Sequence, residues 1–129
     1  MFGVDRLPRM SDDRTSVLGF ALPVADAALE PVPLDPSQDI AGAPEVSELV
    51  LSESDDGRVL RGIWQMTPGV VTDTEADELF VVLSGRATIE FEDGTVLEVG
   101  PGDVALLTEG AKTRWTVHET LRKVYQATV

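Results

Sequence analysis

From residue 45 onward, short runs of strand-forming residues alternate with short clusters of turn residues. In the clearest run, 86–91, Ala87, Ile89 and Phe91 share one face and polar side chains share the other, the period of a half-buried strand. Asp93-Gly94 follows, a dipeptide typical of a tight turn between antiparallel strands. The same pattern predicts eight short strands, at residues 46–52, 59–67, 78–83, 86–91, 95–99, 104–107, 112–117 and 121–129. No helical period accompanies them, so the pattern predicts an all-β sandwich or barrel.

The composition changes near residue 44, which divides the chain into two parts. Six of the eight prolines lie in residues 1–44, and proline removes a backbone donor and fixes φ. A regular helix or central strand is therefore not expected there. We expect residues 1–44 to form a proline-rich tail (1–15) and an extended arm (16–44), and residues 45–129 to form the barrel.

Charge and composition exclude several classes of protein. The net charge of −13 argues against binding to nucleic acid or to an anionic membrane surface, because both are polyanions. The chain has no cysteine, which excludes disulfides and thiolate chemistry, and its single histidine, His118, excludes a multi-histidine site within one chain. No apolar run approaches the roughly 20 residues of a membrane span, and no secretory pattern is seen, so the expected compartment is the cytoplasm.

Two stretches resemble the paired motifs of the cupin superfamily. In the first, Glu78 is followed by Gly85; in the second, Gly102 and Gly110 have the family's spacing, with Thr113 at a histidine position. Trp115 and residues 119–125 are similar to the small-cupin branch of the (S)-ureidoglycine aminohydrolase domain. The resemblance covers residues 45–129. It implies a double-stranded β-helix, the jelly-roll cupin barrel, with a pocket at one mouth, in a homodimer.

The metal ligands of that family are not matched here. The resemblance places its histidines on Thr72 and Thr74 (or on Val71 and Asp73, if the loop is one residue longer) and on Thr113, so that only Glu78 remains. Threonine hydroxyls are poor ligands for the family's transition metals, so we expect neither metal nor cofactor. Four carboxylates lie within residues 73–78; a calcium site is one interpretation, and a solvated acidic loop is the favoured one.

Side-chain alternation predicts which residues line the pocket. If Glu78 points inward, Phe80 does too, and if Thr113 points inward, so does Trp115. The predicted ligand-binding residues are Trp64, Thr72, Thr74, Glu78, Phe80, Thr113 and Trp115. Glu78 is the candidate catalytic acid or base if it is unpaired, because burial would raise its pKa. The alternative is an ion pair with Arg86, Arg114 or Lys123. His118 is expected to lie in an exposed turn.

Three functions remain open at this point. The chain is a metal-free cupin that binds a small organic molecule, a metal-independent enzyme acting on a small polar substrate such as a ureido compound or a sugar, or a structural or regulatory dimer with a vestigial pocket. Whether it is an enzyme is left undecided by the sequence.

Overall fold

The structure is a computed structural model, and it describes residues 18–129. The described residues contain nine strands and no helix. The strands are β1 (Glu30–Val32), β2 (Asp39–Ala41), β3 (Val46–Glu53), β4 (Val59–Met66), β5 (Gly69–Thr74), β6 (Asp77–Phe91), β7 (Val96–Val99), β8 (Val104–Leu107) and β9 (Lys112–Thr128). The predicted all-β jelly-roll architecture is confirmed.

Two long strands organise the barrel. β6 and β9 are antiparallel partners, with Val81 opposite Val124 near one end and Ile89 opposite Trp115 near the other. At the first end, β6 pairs with β8, and β9 pairs with β4, which is followed by β3 and β1. At the second end, β6 pairs with β7, and β9 pairs with β5, which is followed by β2. The two halves enclose a core that includes Phe80, Val82, Ile89, Met66 and Leu121. In the part of the chain described, no helix is long and apolar enough to cross a membrane.

The prediction that β6 and β9 are each interrupted by a turn was wrong. Ser84-Gly85 lies inside β6, and His118 lies inside β9 rather than in a turn, although it is exposed as predicted. The register shifts between Val82 and Ala87, which marks an irregularity of the bulge type. Gly85 has φ +87°, and a Cβ there would overlap the carbonyl oxygen of Thr120. A glycine that serves a bulge has the sequence appearance of a turn, because both need positive φ.

The described part of the arm, residues 18–44, packs on the barrel. β1 pairs with β3, and β2 pairs with β5. Arg122 Nη1 donates hydrogen bonds to the carbonyl oxygens of Val24 at 2.7 Å, Ala25 at 3.2 Å and Ala27 at 3.2 Å. The predicted tail and the first residues of the arm lie outside the described residues.

Candidate functional site

An ion pair lies inside the barrel. Lys123 Nζ on β9 is 2.6 Å from Glu78 Oε2 on β6, and each side chain is 6% exposed. Glu78 points inward together with Phe80 and Val82, as the alternation of β6 predicts, while Leu79 and Val81 are exposed. The ion-pair alternative is therefore confirmed for Glu78, with Lys123 as the partner. The other alternative, an unpaired Glu78 acting as acid or base, does not hold.

Aromatic rings surround the ammonium group of Lys123. Its Nζ lies 4.4 Å from the ring centroid of Phe80, 4.6 Å from that of Trp64 and 4.9 Å from that of Trp115. The ring of Tyr125 is at 6.0 Å. A cation over the face of an aromatic ring is attracted by the ring quadrupole, and more strongly where water is excluded. The rings and the Glu78 carboxylate together compensate Lys123 for the water it loses on burial.

A second buried carboxylate belongs to Glu48 on β3. Tyr125 donates its phenolic hydrogen bond to Glu48 Oε2 at 3.0 Å, and both side chains are buried. The Tyr125 ring crosses β4 at Gly62, where a Cβ would lie 2.8 Å from the phenolic oxygen. Gly62 therefore provides the space that lets Tyr125 reach Glu48.

A third carboxylate, Glu75, fixes the wall of the site next to β9. Its Oε2 accepts hydrogen bonds from Thr113 Oγ1 at 2.8 Å and from Trp115 Nε1 at 2.9 Å. Asp73 lies beside it, and burial, together with the negative charge of Glu75, raises the pKa of Asp73 to about 7. The protonated form of Asp73 is therefore favoured relative to that of an exposed aspartate.

These side chains enclose a narrow cavity next to a larger groove. The cavity has a volume of about 20 Å³, room for about one water molecule. Its lining residues are Glu48, Trp64, Val71, Asp73, Glu75, Glu78, Trp115, Lys123 and Tyr125. The groove has a volume of about 520 Å³, and its wall includes Asp73, Thr113, Thr72, Lys112 and Arg114. Asp73 lines both, so it lies at the boundary between cavity and groove.

The placement of Thr72 and Thr74 in the cavity was wrong. In an antiparallel pair, residues directly opposite each other share a face. Val71 is opposite Trp115 and Asp73 is opposite Thr113, so these face inward. Thr72 is opposite Arg114 and Thr74 is opposite Lys112, so they line the groove instead. The alternative placement, on Val71 and Asp73 with a loop one residue longer, matches the residues that point inward.

The other predicted site residues come together in the barrel. Trp64, Glu78 and Trp115 line the cavity. Phe80 is buried against Trp115, with ring centroids 5.7 Å apart, and Thr113 is held at the mouth by Glu75. The acidic stretch 73–78 is not a solvated loop throughout, because Glu75 and Glu78 are buried.

The sequence interpretation missed several residues of this site. Glu48 had a signal: it stands on the same face as Val46 and Val50, where an apolar residue is expected. Lys123 was considered only as an ion-pair partner of Glu78, and Tyr125, two residues further along β9 and on the same buried face, was not assigned to the pocket. Glu75 lies between strands, where alternation gives no direction.

The side chains do not fit the metal that the cupin resemblance implies. Within residues 18–129, no group of three or more histidine, cysteine, aspartate or glutamate side chains could hold a metal ion. The carboxylate at the family's ligand position, Glu78, is engaged by an ammonium group, and a bound cation would have to displace or oppose that positive charge.

Comparisons with known proteins agree with this architecture. The family model of the EutQ-like cupin domain matches residues 53–125. Among solved structures, a protein of unknown function of the DUF861 family from Pseudomonas syringae pv. tomato is 31% identical with a TM-score of 0.73. The alignment covers 80% of this chain and 45% of that one, so the chain spans less than half the length of that relative.

Two further structures share the fold at lower identity. The putative ethanolamine utilization protein Q of Salmonella typhimurium is 24% identical, with a TM-score of 0.58, over 65% of this chain and 69% of that one. Ectoine synthase from P. lautus is 19% identical, with a TM-score of 0.57, over 74% of this chain and 71% of that one. No curated protein matches. With more than half of its length matched by the family model, the chain belongs to the family of EutQ-like cupin domains.

Proposed function

We propose that the barrel cavity binds a small organic molecule without a metal ion. The observation that carries this proposal is the group of ionisable side chains buried in the barrel: Glu48, Glu75, Glu78 and Lys123. Taking charges out of water costs stability, and an apolar filling of the same volume is often as stable or more so. Departures of this kind from a stable core are concentrated at functional sites.

The lining supports a ligand that combines an apolar part with polar groups. Trp64 and Trp115 offer aromatic surface, and carboxylates lie around them at Glu48, Glu75 and Glu78. Since the cavity holds only about 20 Å³, a ligand larger than water must extend into the groove or move a side chain. Asp73, at the boundary, would contact such a ligand on its way in. A ureido compound or a sugar, the examples of a small polar substrate named for the enzyme alternative, is a reasonable first probe.

A thermal-shift screen tests this proposal. A ligand that binds only the native state raises the melting temperature by mass action. At a ligand concentration of a hundred times the dissociation constant, the stabilisation is about 2.7 kcal/mol. The panel contains ureido compounds, sugars, amines and small carboxylates, each measured with and without a chelator. We expect at least one class to raise the melting temperature equally with and without the chelator.

Two matched variants show whether a hit binds in the cavity. Trp115→Phe removes the indole N–H that donates to Glu75, and it should reduce the rise in melting temperature that the ligand causes. Glu109→Gln changes an exposed carboxylate in the turn after β8 and should leave it unchanged. A shift that needs metal, or that Trp115→Phe does not alter, contradicts the proposal. A panel without any hit favours a vestigial pocket in a structural or regulatory protein.

A second candidate function is metal-independent acid–base catalysis, and Asp73 favours it. The original candidate for this role, Glu78, is held by Lys123 at 2.6 Å. Asp73 instead has its pKa raised to about 7 by burial and by Glu75, and it borders the groove through which a substrate would enter. A group with a pKa near the working pH is the most effective acid–base catalyst. Carbon-13 NMR of the aspartate carboxyl groups, with Asp73→Asn for assignment, measures this pKa; a value near 4 removes the candidate.

A further inference from the structure

The wall of the cavity carries more negative than positive charge. Among the described residues that line it, four have carboxyl groups and one, Lys123, has an ammonium group. Glu78 lies 2.6 Å from Lys123, so these two opposite charges balance each other. The other carboxyl groups of the lining belong to Glu48, Asp73 and Glu75. The electrostatics of the wall therefore favour a cation over an anion.

Glu75 keeps its negative charge at the wall by means of neutral hydrogen-bond donors. Its Oε2 accepts from Thr113 and Trp115, and its side chain is buried. Within residues 18–129, Glu75 forms no ion pair. Neutral donors stabilise a carboxylate without cancelling its charge. A positive group placed in the cavity would interact with this charge more strongly than in water, because the buried surroundings screen it less.

The cavity has the size of a primary ammonium group. Its volume of about 20 Å³ gives room for about one water molecule, and an ammonium group is of similar size. Such a group also has three N–H donors, which suit a wall of carboxylate acceptors. A trimethylammonium group is larger and would have to move a side chain. The carbon chain of an amine would pass Asp73 into the groove of about 520 Å³.

We propose that the cavity binds the ammonium group of a small primary amine, with the carbon chain of the amine in the groove. This inference rests on the proposed binding of a small organic molecule in the same cavity, and it specifies the charge and the head group of that molecule. Trp64 and Trp115, with ring centroids 5.8 Å apart, provide aromatic surface beside the ammonium group. The net charge of −13 also raises the concentration of cations near the protein.

Tryptophan fluorescence provides a titration that reports on this site. The chain has two tryptophans, Trp64 and Trp115, and both line the cavity. The probes are n-butylammonium chloride, sodium valerate and 1-pentanol, which have similar lengths, at constant ionic strength. We expect n-butylammonium to change the emission in a saturable way and to bind at least about 10-fold more tightly than the other two. n-Butyltrimethylammonium, with the same charge on a larger head group, should bind more weakly than n-butylammonium.

Glu75→Gln shows whether the negative charge of the wall is needed. The amide oxygen can still accept from Trp115, so the wall loses a charge and keeps its shape. The affinity for n-butylammonium should fall by about 10-fold or more. Glu109→Gln, the control, removes an exposed carboxylate and should leave the affinity unchanged. If Glu75→Gln does not fold, Asp73→Asn takes its place and should also weaken binding. Equal losses in the test variant and the control would contradict a specific ammonium site.

The outcomes separate this inference from the proposed function. Binding of valerate or 1-pentanol as tight as that of n-butylammonium overturns the ammonium site and still supports a small organic ligand in the cavity. Unchanged emission with every probe also overturns the ammonium site. The thermal-shift panel then decides whether the cavity binds a molecule of another class.

Discussion

Glu75 joins Thr113 and Trp115 through a single carboxylate oxygen, which accepts from the hydroxyl at 2.8 Å and from the indole nitrogen at 2.9 Å. Both donors belong to β9 and point inward, so Glu75 fixes the orientation of the ring that closes one side of the cavity. Replacement of this carboxylate should therefore disturb the aromatic wall before it disturbs the barrel.

Glu75→Leu tests that role. The change leaves the indole N–H of Trp115 without its acceptor and leaves Thr113 Oγ1 with only the carbonyl oxygen of Asp73 at 3.4 Å. An unsatisfied buried group costs about 1–3 kcal/mol. We expect the free energy of unfolding to fall and the tryptophan emission to shift as the ring of Trp115 is released. Glu109→Gln is the control, since Glu109 is exposed. Unchanged emission in Glu75→Leu would mean that packing alone holds the ring.

The ion pair between Glu78 and Lys123 should make each single substitution costly. Glu78→Gln leaves a buried ammonium without its counter-charge, at a cost of roughly 3–5 kcal/mol in urea unfolding. An unpaired Glu78 would give the opposite result, since Glu78→Gln would then stabilise the fold or cost under about 1 kcal/mol, because an unpaired buried carboxylate is itself unfavourable.

The double variant Glu78→Gln with Lys123→Met separates the pair from its surroundings. Because it removes both charges, it should cost clearly less than the sum of the two single variants. The exposed pair of Arg86 and Glu119, at 3.4 Å, is the control, and Glu119→Gln should cost under about 1 kcal/mol. Additive effects at Glu78 and Lys123 would contradict strong coupling between them.

Asp73 should make the fold less stable as the pH rises. Its pKa is about 7 in the folded protein against an ordinary value of 3.8, so the folded state binds more protons than the unfolded state between these values. The free energy of unfolding changes with pH in proportion to the protons bound by the unfolded state minus those bound by the folded state. This difference is negative here, so the stability falls as the pH increases between the two pKa values.

The measurement compares wild type with Asp73→Asn in urea at pH 5 and at pH 8. Carboxylates far from Asp73 titrate alike in both proteins, so the difference between the two reports the titration of Asp73 together with its neighbour Glu75. We expect Asp73→Asn to lose less stability than wild type between the two pH values. Parallel behaviour of the two proteins would place the pKa of Asp73 near its ordinary value.

Gly85 should be far less tolerant of a side chain than Gly94. Both have positive φ, +87° and +91°, which costs an L-residue roughly 1–2 kcal/mol. A Cβ at Gly94 meets nothing within 4 Å, whereas one at Gly85 meets the backbone of Thr120. We therefore expect Gly94→Ala to lower the free energy of unfolding by the conformational cost alone. Gly85→Ala should lower it by several kcal/mol, as measured by thermal unfolding. Equal losses would mean that β9 moves away from the bulge at little cost.

The fold and half of the site follow from local patterns, and the rest depends on distant partners. Alternation places Glu78, Phe80, Thr113 and Trp115 inside because each lies in a regular strand. The prediction is wrong by one residue on β5, where Val71 and Asp73 point inward in place of Thr72 and Thr74. Which side chains of β5 point inward depends on its register with β9 and not on its own sequence.

The partners of Glu78 and Glu75 illustrate what sequence reasoning cannot supply. Lys123 was one of three cations that could have reached Glu78, and the selection is made by the pairing of β6 with β9 across 45 positions. Glu75 lies between β5 and β6, and its burial follows from donors on β9 that are 38 and 40 positions away.

The central position of β9 has a consequence for how the chain is made. β9 pairs with β4, β5 and β6, yet it is synthesised after all of them. During translation those strands wait with unpaired backbone edges, which are templates for association with other chains. Closure depends on contacts that are distant in sequence, and such topologies fold slowly. Until β9 is available, the edges of β4, β5 and β6 that it covers therefore stay open to association with other chains.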